Sequence, residues 1–250
     1  MKFSIIILAA GLGKRMNNPD IPKALTEFNE KTLIYYVLKE AIALKPDKIC
    51  IVVGHHKEKL ISYIDEVVLS EYPFVGLEYA VQEEQLGTGH AVLCCENNFV
   101  NYDGKILILS ADVPLLRKKT LLDFMKNSIK TDLSVLTSIA SNPFGYGRIL
   151  RDDNEKIIGI REEKDTTELE RFIYEINTGI YFVDAKLLFP LIKKVKNENN
   201  QAEYYLTDIV SIGLSQNKNI IANTIAPFIE IQGINTLEQL EELKQIKIEE

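Results

Sequence analysis

Ile5-Ile6-Ile7-Leu8-Ala9-Ala10-Gly11-Leu12-Gly13-Lys14-Arg15-Met16 stands near the start of the chain, with Ile21-Pro22-Lys23 shortly after it. A continuous apolar run of this length reads as a buried parallel strand. The small residues that follow let the backbone approach a ligand closely, and the glycines permit positive φ. Consecutive backbone N–H groups in such a loop can cradle an anion. Lys14, Arg15 and Lys23 add formal positive charge beside it. The stretch predicts a phosphate site at the carboxyl end of a first strand, and so an α/β fold.

Two familiar phosphate loops do not fit. A P-loop needs four residues between its glycines and a Lys-Ser/Thr pair, and neither is present. A dinucleotide fingerprint needs a third Gly or Ala where Met16 stands, and an acidic residue after the second strand. That strand, 48–53, runs into Gly54-His55-His56 instead. A plain strand-to-helix turn and a phosphate loop of another kind remain, and the motifs further along decide between them.

The bulk numbers are those of a globular chain: 250 residues, 46% hydrophobic and 26% charged. With 29 basic against 36 acidic residues the net charge is −7, which argues against a nucleic-acid partner. A local cluster of amides and cations can still hold a ligand phosphate. No apolar stretch reaches membrane-spanning length, so no membrane partner is expected. The run 3–10 is short for a signal peptide, and a cytoplasmic location is expected. Cys50, Cys94 and Cys95 form no disulfide framework and read as reduced core thiols.

Along the chain, strand-like segments at 4–8, 48–53, 76–81 and 105–109 alternate with helix-like segments at 33–44, 57–69 and 89–95. A helix start with a side-chain cap is expected at Thr120. This rhythm predicts a mainly parallel sheet with helices on both faces, whose ligands bind at the carboxyl ends of the strands. From about residue 131 the pattern changes. Short strands at 133–140, 147–151 and 156–161, separated by turns, read as a more antiparallel lobe. Further strands are expected at 179–183 and 228–231, and a helix at 205–214. Residues 193–201 read as a surface loop. Thr236-Leu237-Glu238-Gln239 reads as a capping box opening a terminal helix. The expected organisation is a single domain over 1–250. It has a nucleotide-binding half to about 130, a sugar-binding half over about 131–235 and a helix over 236–250.

Several constellations carry chemistry. In Gln82-Glu83-Glu84-Gln85-Leu86-Gly87-Thr88-Gly89-His90-Ala91, a Gly-Thr-Gly turn offers free backbone N–H groups. The neighbouring glutamines offer both donor and acceptor, which suits the edge of a uracil base. Ser110-Ala111-Asp112-Val113-Pro114-Leu115 puts an acid at the tip of a central strand, where it can hold Mg²⁺ against phosphates. Gly145-Tyr146-Gly147-Arg148, Glu162, Glu175-Ile176-Asn177-Thr178-Gly179 and Glu203-Tyr204-Tyr205-Leu206-Thr207-Asp208 mix permissive glycine with polar groups suited to sugar hydroxyls. Asn235 stands before the capping box as a second candidate metal ligand.

Taken together, LAAGLGKRM, IPK, QLGTGHA, ADVPL, GYGRI, EINTG, EYYLTDI and GIN, in this order, resemble the sugar-1-phosphate nucleotidyltransferases. Within them the chain resembles the N-terminal uridylyltransferase domain of the bifunctional bacterial enzyme that makes UDP-N-acetylglucosamine. The resemblance runs from Ile5 to about Leu240. It implies a Rossmann-like, mixed but mainly parallel sheet of the GT-A-like nucleotide-diphospho-sugar transferase kind, with a smaller antiparallel sugar lobe. It implies UTP and N-acetylglucosamine 1-phosphate as small-molecule partners and Mg²⁺ as cofactor. Leu8, Ala9, Ala10 and Gly11 would line the nucleotide, and Gln82, Gly87 and Thr88 would hold uracil. Arg15 and Lys23 would bind the triphosphate and stabilise the transition state, with Asp112 as the third catalytic residue. Asp112 and Asn235 would hold Mg²⁺. Gly147, Glu162, Asn177, Tyr205 and Thr207 would surround the sugar.

The sequence departs from the family pattern in places. Ala111 replaces a Gly that commonly precedes the metal-binding Asp, Arg161 and Glu163 flank Glu162, and one extra residue lies between Met16 and Lys23. No hexapeptide repeat is present, so no β-helix acetyltransferase domain is expected within these residues. Other sugar phosphates or nucleotides, or nucleotide-sugar binding without catalysis, are the alternatives. The sequence carries no signal for oligomeric state.

Overall fold

The axis of the sheet is β1 (Phe3–Leu8), whose residues are buried on both faces up to Leu8 at the rim. The structure, a computed structural model, describes residues 1–11, 13, 16, 20–73 and 76–246. A two-residue hairpin, β2 (Glu27–Phe28) and β3 (Lys31–Thr32), leads into α1 (Leu33–Ala43). Then come β4 (Ile49–Val53), α2 (Lys57–Tyr63), a π-helical turn over Ile64–Val68, and α3 (Leu69–Glu71). β5 (Leu77–Val81), α4 (Thr88–Leu93), β6 (Lys105–Ser110) and α5 (Lys118–Asn127) complete the first half. The second half holds β7 (Leu133–Ile139), β8 (Arg148–Arg151), β9 (Ile157–Arg161), β10 (Glu175–Asp184) and α6 (Ala185–Ile192). It closes with α7 (Asp208–Ser215), β11 (Ile220–Thr224) and α8 (Leu237–Lys244).

The main sheet runs β11-β7-β10-β6-β1-β4-β5, with β8 beside β10 and β9 beside β8. β6, β1, β4 and β5 are parallel, and β10 enters between β6 and β7 antiparallel to both. One sheet therefore passes through both halves. Its two faces follow from the strand period of two. Ile5 and Ile7 pack on one side with Ile34 and Leu38 of α1 and Leu121 and Phe124 of α5. Ile6 packs on the other with Val92 of α4, Leu188 of α6 and Ile209 of α7. Each such side chain contributes about 1.5–3 kcal/mol through burial. A third cluster, including Phe28, Leu33, Ile234, Leu240 and Leu243, seats α8 beside the hairpin.

Several expectations need correction. The segment Phe228–Ile231 is a 3₁₀ turn. Pro227 precedes it and has no N–H for a ladder, and the Phe228 ring packs edge-on against Tyr146 with centroids 5.9 Å apart. The last strand is instead β11, which pairs parallel with β7. α5 begins at Lys118 without a side-chain cap, and Thr120 Oγ1 donates to Glu230 Oε2 at 2.5 Å. The expected helix over 205–214 begins only at Asp208, because hydrogen bonds tie Tyr204 to Leu86 and Gly89 and Leu206 to the Thr88 hydroxyl, at and just before the start of α4. The capping box is present, with Gln239 N donating to Thr236 Oγ1 at 3.2 Å.

Candidate active site

β1 and β6 end side by side, Leu8 opposite Ser110. The ladder continues past both ends: Ala9 N donates to Val52 O at 2.9 Å and Ala111 N to Leu8 O at 3.0 Å. Ala9, Ala10 and Gly11 thus leave the sheet on a fixed path and line a cleft of about 260 Å³ with Lys23, Gln82, Gly87, Thr88 and Asp112. Gly13 has φ +60°, and a Cβ there would lie 2.9 Å from Lys23 Cβ. Glycine at this position leaves room for the Lys23 side chain. Arg15 lies outside the described residues.

Lys23 Nζ donates to Asp112 Oδ2 and, at 2.7 Å, to Asn235 Oδ1. Chain topology brings this pair together: Ile234 N donates to Asp112 O at 2.9 Å, alongside β6. Asn235 is held in turn by its own N–H to Gln239 Oε1 at 2.7 Å. Burial pushes the Asp112 carboxyl toward its neutral form, but the Lys23 ammonium and the bonds from Lys23 and Ser110 outweigh it. The carboxyl is therefore held below its ordinary value. Two hard oxygen donors already converge on one cation, which is the donor chemistry Mg²⁺ uses. Among the described residues no cluster of three or more metal-capable side chains exists. The pair therefore fits an ion that takes its other ligands from phosphates and water rather than from a protein cage.

On one flank of this centre, Gln82 Nε2 lies 3.1 Å from Gly87 O and 3.2 Å from His90 Nδ1. Gly87 has φ +108°, and a Cβ there would lie 2.7 Å from Tyr204 O. The turn is clamped: Gly89 N donates to Tyr204 O at 2.7 Å, Tyr204 N to Leu86 O at 2.8 Å, and Leu206 N to Thr88 Oγ1 at 3.1 Å. The Thr88 hydroxyl is thus spent partly on scaffolding.

On the other flank a cleft of about 220 Å³ is continuous with the first, sharing Leu8, Thr88, Ser110 and Asp112. It is lined by Gly147, Glu162, Asn177, Thr207 and Asn235. Thr207 Oγ1 donates to Glu162 Oε1 at 3.0 Å. Asn177 Nδ2 donates to Tyr181 Oη at 2.9 Å, and its Oδ1 accepts from Gly179 N at 3.1 Å. Burial raises the Glu162 pKa, and the carboxylates of Asp208, Asp165 and Glu203 add to that, against the Thr207 bond. Its neighbour Glu163 is turned away, pairing with the buried Arg148 at 2.8 Å and accepting from Gly145 N at 3.1 Å.

The residues expected to surround nucleotide, metal and sugar thus line one continuous cleft, with two exceptions. Arg15 is outside the described residues. Tyr205 lines a neighbouring cavity of about 330 Å³ that shares Glu162 and Thr207 with the cleft. Sequence reading assigned no role to Ser110, Tyr146, Tyr181 and Gly233, which also line the cleft. Ser110 and Tyr146 stand inside motifs already singled out. Gly233 opens the GIN motif. Tyr181 carries no local signal, since only the packing of β10 brings it there.

The nucleotidyl transferase family model matches residues 4–225. A bifunctional protein GlmU from Streptococcus equi subsp. zooepidemicus is 39% identical over 254 aligned residues, covering 99% of this chain and 53% of that protein. Another, from Geotalea daltonii, is 40% identical over 250, covering 98% and 52%. The chain spans about half the length of these curated relatives. Among solved structures, a UDP-glucose pyrophosphorylase complexed with UDP-glucose aligns with TM-score 0.77 at 21% identity, over 98% of each chain. A putative glucose-1-phosphate thymidylyltransferase from Bacillus anthracis aligns with TM-score 0.74 at 22% identity, over 99% of this chain and 98% of that one. At such identities the structures speak to the fold alone.

Proposed function

The chain belongs to the nucleotidyl transferase family, and from that premise we propose that it is a uridylyltransferase joining UTP to N-acetylglucosamine 1-phosphate. The observation that carries this reading is the convergence of Lys23, Asp112 and Asn235 at the junction of two clefts. One cleft is lined by Gln82 and Gly87, the other by Gly147, Glu162 and Asn177. The GlmU relatives, alike over nearly the whole chain, support the same choice of substrates.

A phosphate oxygen of the sugar phosphate attacks the α-phosphorus of UTP. The bond to the bridging oxygen breaks, and pyrophosphate leaves with its electron pair. The attacking oxygen is already anionic, so no general base is needed, and catalysis consists of positioning and charge neutralisation. The backbone of Ala9–Gly11 lies along the triphosphate. Lys23 releases its two oxygen partners and turns to the phosphates, and Arg15 would add a second cation to them. Asp112 and Asn235 would hold Mg²⁺, which when bound neutralises phosphate charge. Gln82 and Gly87 read the base, while Glu162 and Asn177 face the sugar.

Pyrophosphate release, measured with four nucleoside triphosphates against several sugar 1-phosphates, tests the reading. The expected result is highest kcat/KM for UTP with N-acetylglucosamine 1-phosphate, and no turnover in EDTA. Preference for another pair would reassign the substrates. Nucleotide-sugar binding without pyrophosphate release would make the protein a binder rather than an enzyme.

A further inference from the structure

The Gln82 carboxamide is fixed in one of its two orientations. Its Nε2 sits 3.1 Å from Gly87 O, a carbonyl that can only accept, so the NH₂ end must face it. The second N–H points to His90 Nδ1 at 3.2 Å, which makes that ring nitrogen the acceptor and leaves the ring proton on Nε2. His90 Nε2 in turn lies 4.0 Å from Cys94 Sγ, a weak acceptor. Both amide hydrogens of Gln82 are thus taken, and among the described residues no donor reaches its Oε1. The Gly87 N–H likewise has no acceptor among the described residues. Gln82 and Gly87 both line the cleft.

An acceptor beside a donor complements an N–H beside a carbonyl, the edge that uracil shares with thymine and guanine and that cytosine lacks. The imide edge of uracil offers N3–H and the C4 carbonyl. Cytosine offers the reverse, a bare N3 and a C4 amino group. We propose that His90 is a positioning residue for nucleobase specificity, holding Gln82 with its carbonyl oxygen toward the base so that uracil is accepted and cytosine refused. This rests on the uridylyltransferase reading and adds to it the residue that sets the discrimination. Without the ring acceptor, one N–H of a buried amide loses its partner. Only the Gly87 carbonyl then holds the carboxamide, so the orientation that puts Oε1 toward the base is less strongly favoured over the one that presents an NH₂ where uracil also has a donor.

The test compares wild type, His90→Phe and His90→Asn. Phe keeps the ring and removes the acceptor; Asn restores an oxygen acceptor near the Nδ1 position. Binding of UTP and CTP is measured by isothermal titration calorimetry, with kcat and KM in parallel and circular dichroism as the check on folding. In His90→Phe, loss of one buried hydrogen bond should lower the UTP-over-CTP affinity ratio about tenfold. The loss should appear in KM for UTP with kcat nearly unchanged, and His90→Asn should recover most of the ratio. A folded His90→Phe with the wild-type ratio overturns the proposal and leaves the uridylyltransferase reading intact. So does a His90→Asn that discriminates no better than a His90→Phe of reduced ratio. A wild-type protein with no preference for UTP over CTP overturns both.

Discussion

Lys23 is held at 12% side-chain exposure between Asp112 and Asn235, the place where a divalent ion would share the same oxygens. Asp112→Asn should therefore fold, because the amide oxygen still accepts from Lys23. Turnover should fall by about 10²–10³, since a neutral amide is a poor ligand for a hard cation. Circular dichroism and pyrophosphate release across a Mg²⁺ titration check both halves of that statement. Glu162 gives a pH signature. Its pKa is raised, chiefly by burial. Its contribution to stability is intact below the ordinary glutamate value and is lost as pH rises through the folded-state value. Glu162→Gln should raise Tm over the parent at pH 7 and give no gain at pH 3. It should also weaken sugar 1-phosphate binding about tenfold through loss of a charged acceptor. Thermal melts at the two pH values and titration calorimetry read the two effects. Several polar residues of the cleft were legible because they follow a strand end, as Gln82 and Glu162 do, or stand near a glycine, as Thr88 and Asn177 do. Tyr205 shows the limit: two tyrosines stand side by side in the motif, and sequence cannot say that Tyr205 faces the neighbouring cavity.

At the scale of elements, the turn before α4 decides how the two flanks of the site meet. Gly87→Ala would force a side chain into φ +108° and place its Cβ 2.7 Å from Tyr204 O. The expected cost is about 1–3 kcal/mol of stability, read by urea denaturation, with weaker UTP binding. The glycine pattern made this turn readable, just as the capping box made α8 readable. Other elements were hidden for physical reasons. β11 has only Ile220 and Ile221 as large apolar residues before Ala222-Asn223-Thr224, and its place is set by pairing with β7. α6 contains Pro190, which reads as a helix breaker, yet its apolar face is buried against the sheet. The apolar run Phe228–Ile231 invited a strand, but Pro227 and the packing of Phe228 on Tyr146 make it a turn.

Across the whole molecule, Glu175 ties four strands. It accepts from Arg151 Nε and Nη2 at 2.6 Å, from Thr137 at 2.7 Å and from Thr224 at 2.8 Å. Burial works against its charged form, but these bonds outweigh it and hold the carboxyl below its ordinary value. A carboxyl so depressed contributes stability above the ordinary glutamate pKa that is lost as pH falls through the folded-state value. Arg151→Met should lower stability by about 1–3 kcal/mol at pH 7, with a smaller difference from the parent in acid, as chemical denaturation at several pH values would show. The mainly parallel architecture was legible from the alternation of apolar runs and helices. The central place of β10 was not, since it depends on a strand from the second half entering between β6 and β7. The backbone clamp between Leu86–Gly89 and Tyr204–Leu206 has a consequence for the order of events. A ligand that orders one side of this clamp has already met part of the entropic cost of ordering the other, so nucleotide and sugar phosphate should bind with positive cooperativity. By linkage the factor is the same whichever arrives first. Calorimetric titration of each ligand with and without the other, under conditions that block turnover, should therefore give two equal coupling factors, both greater than one.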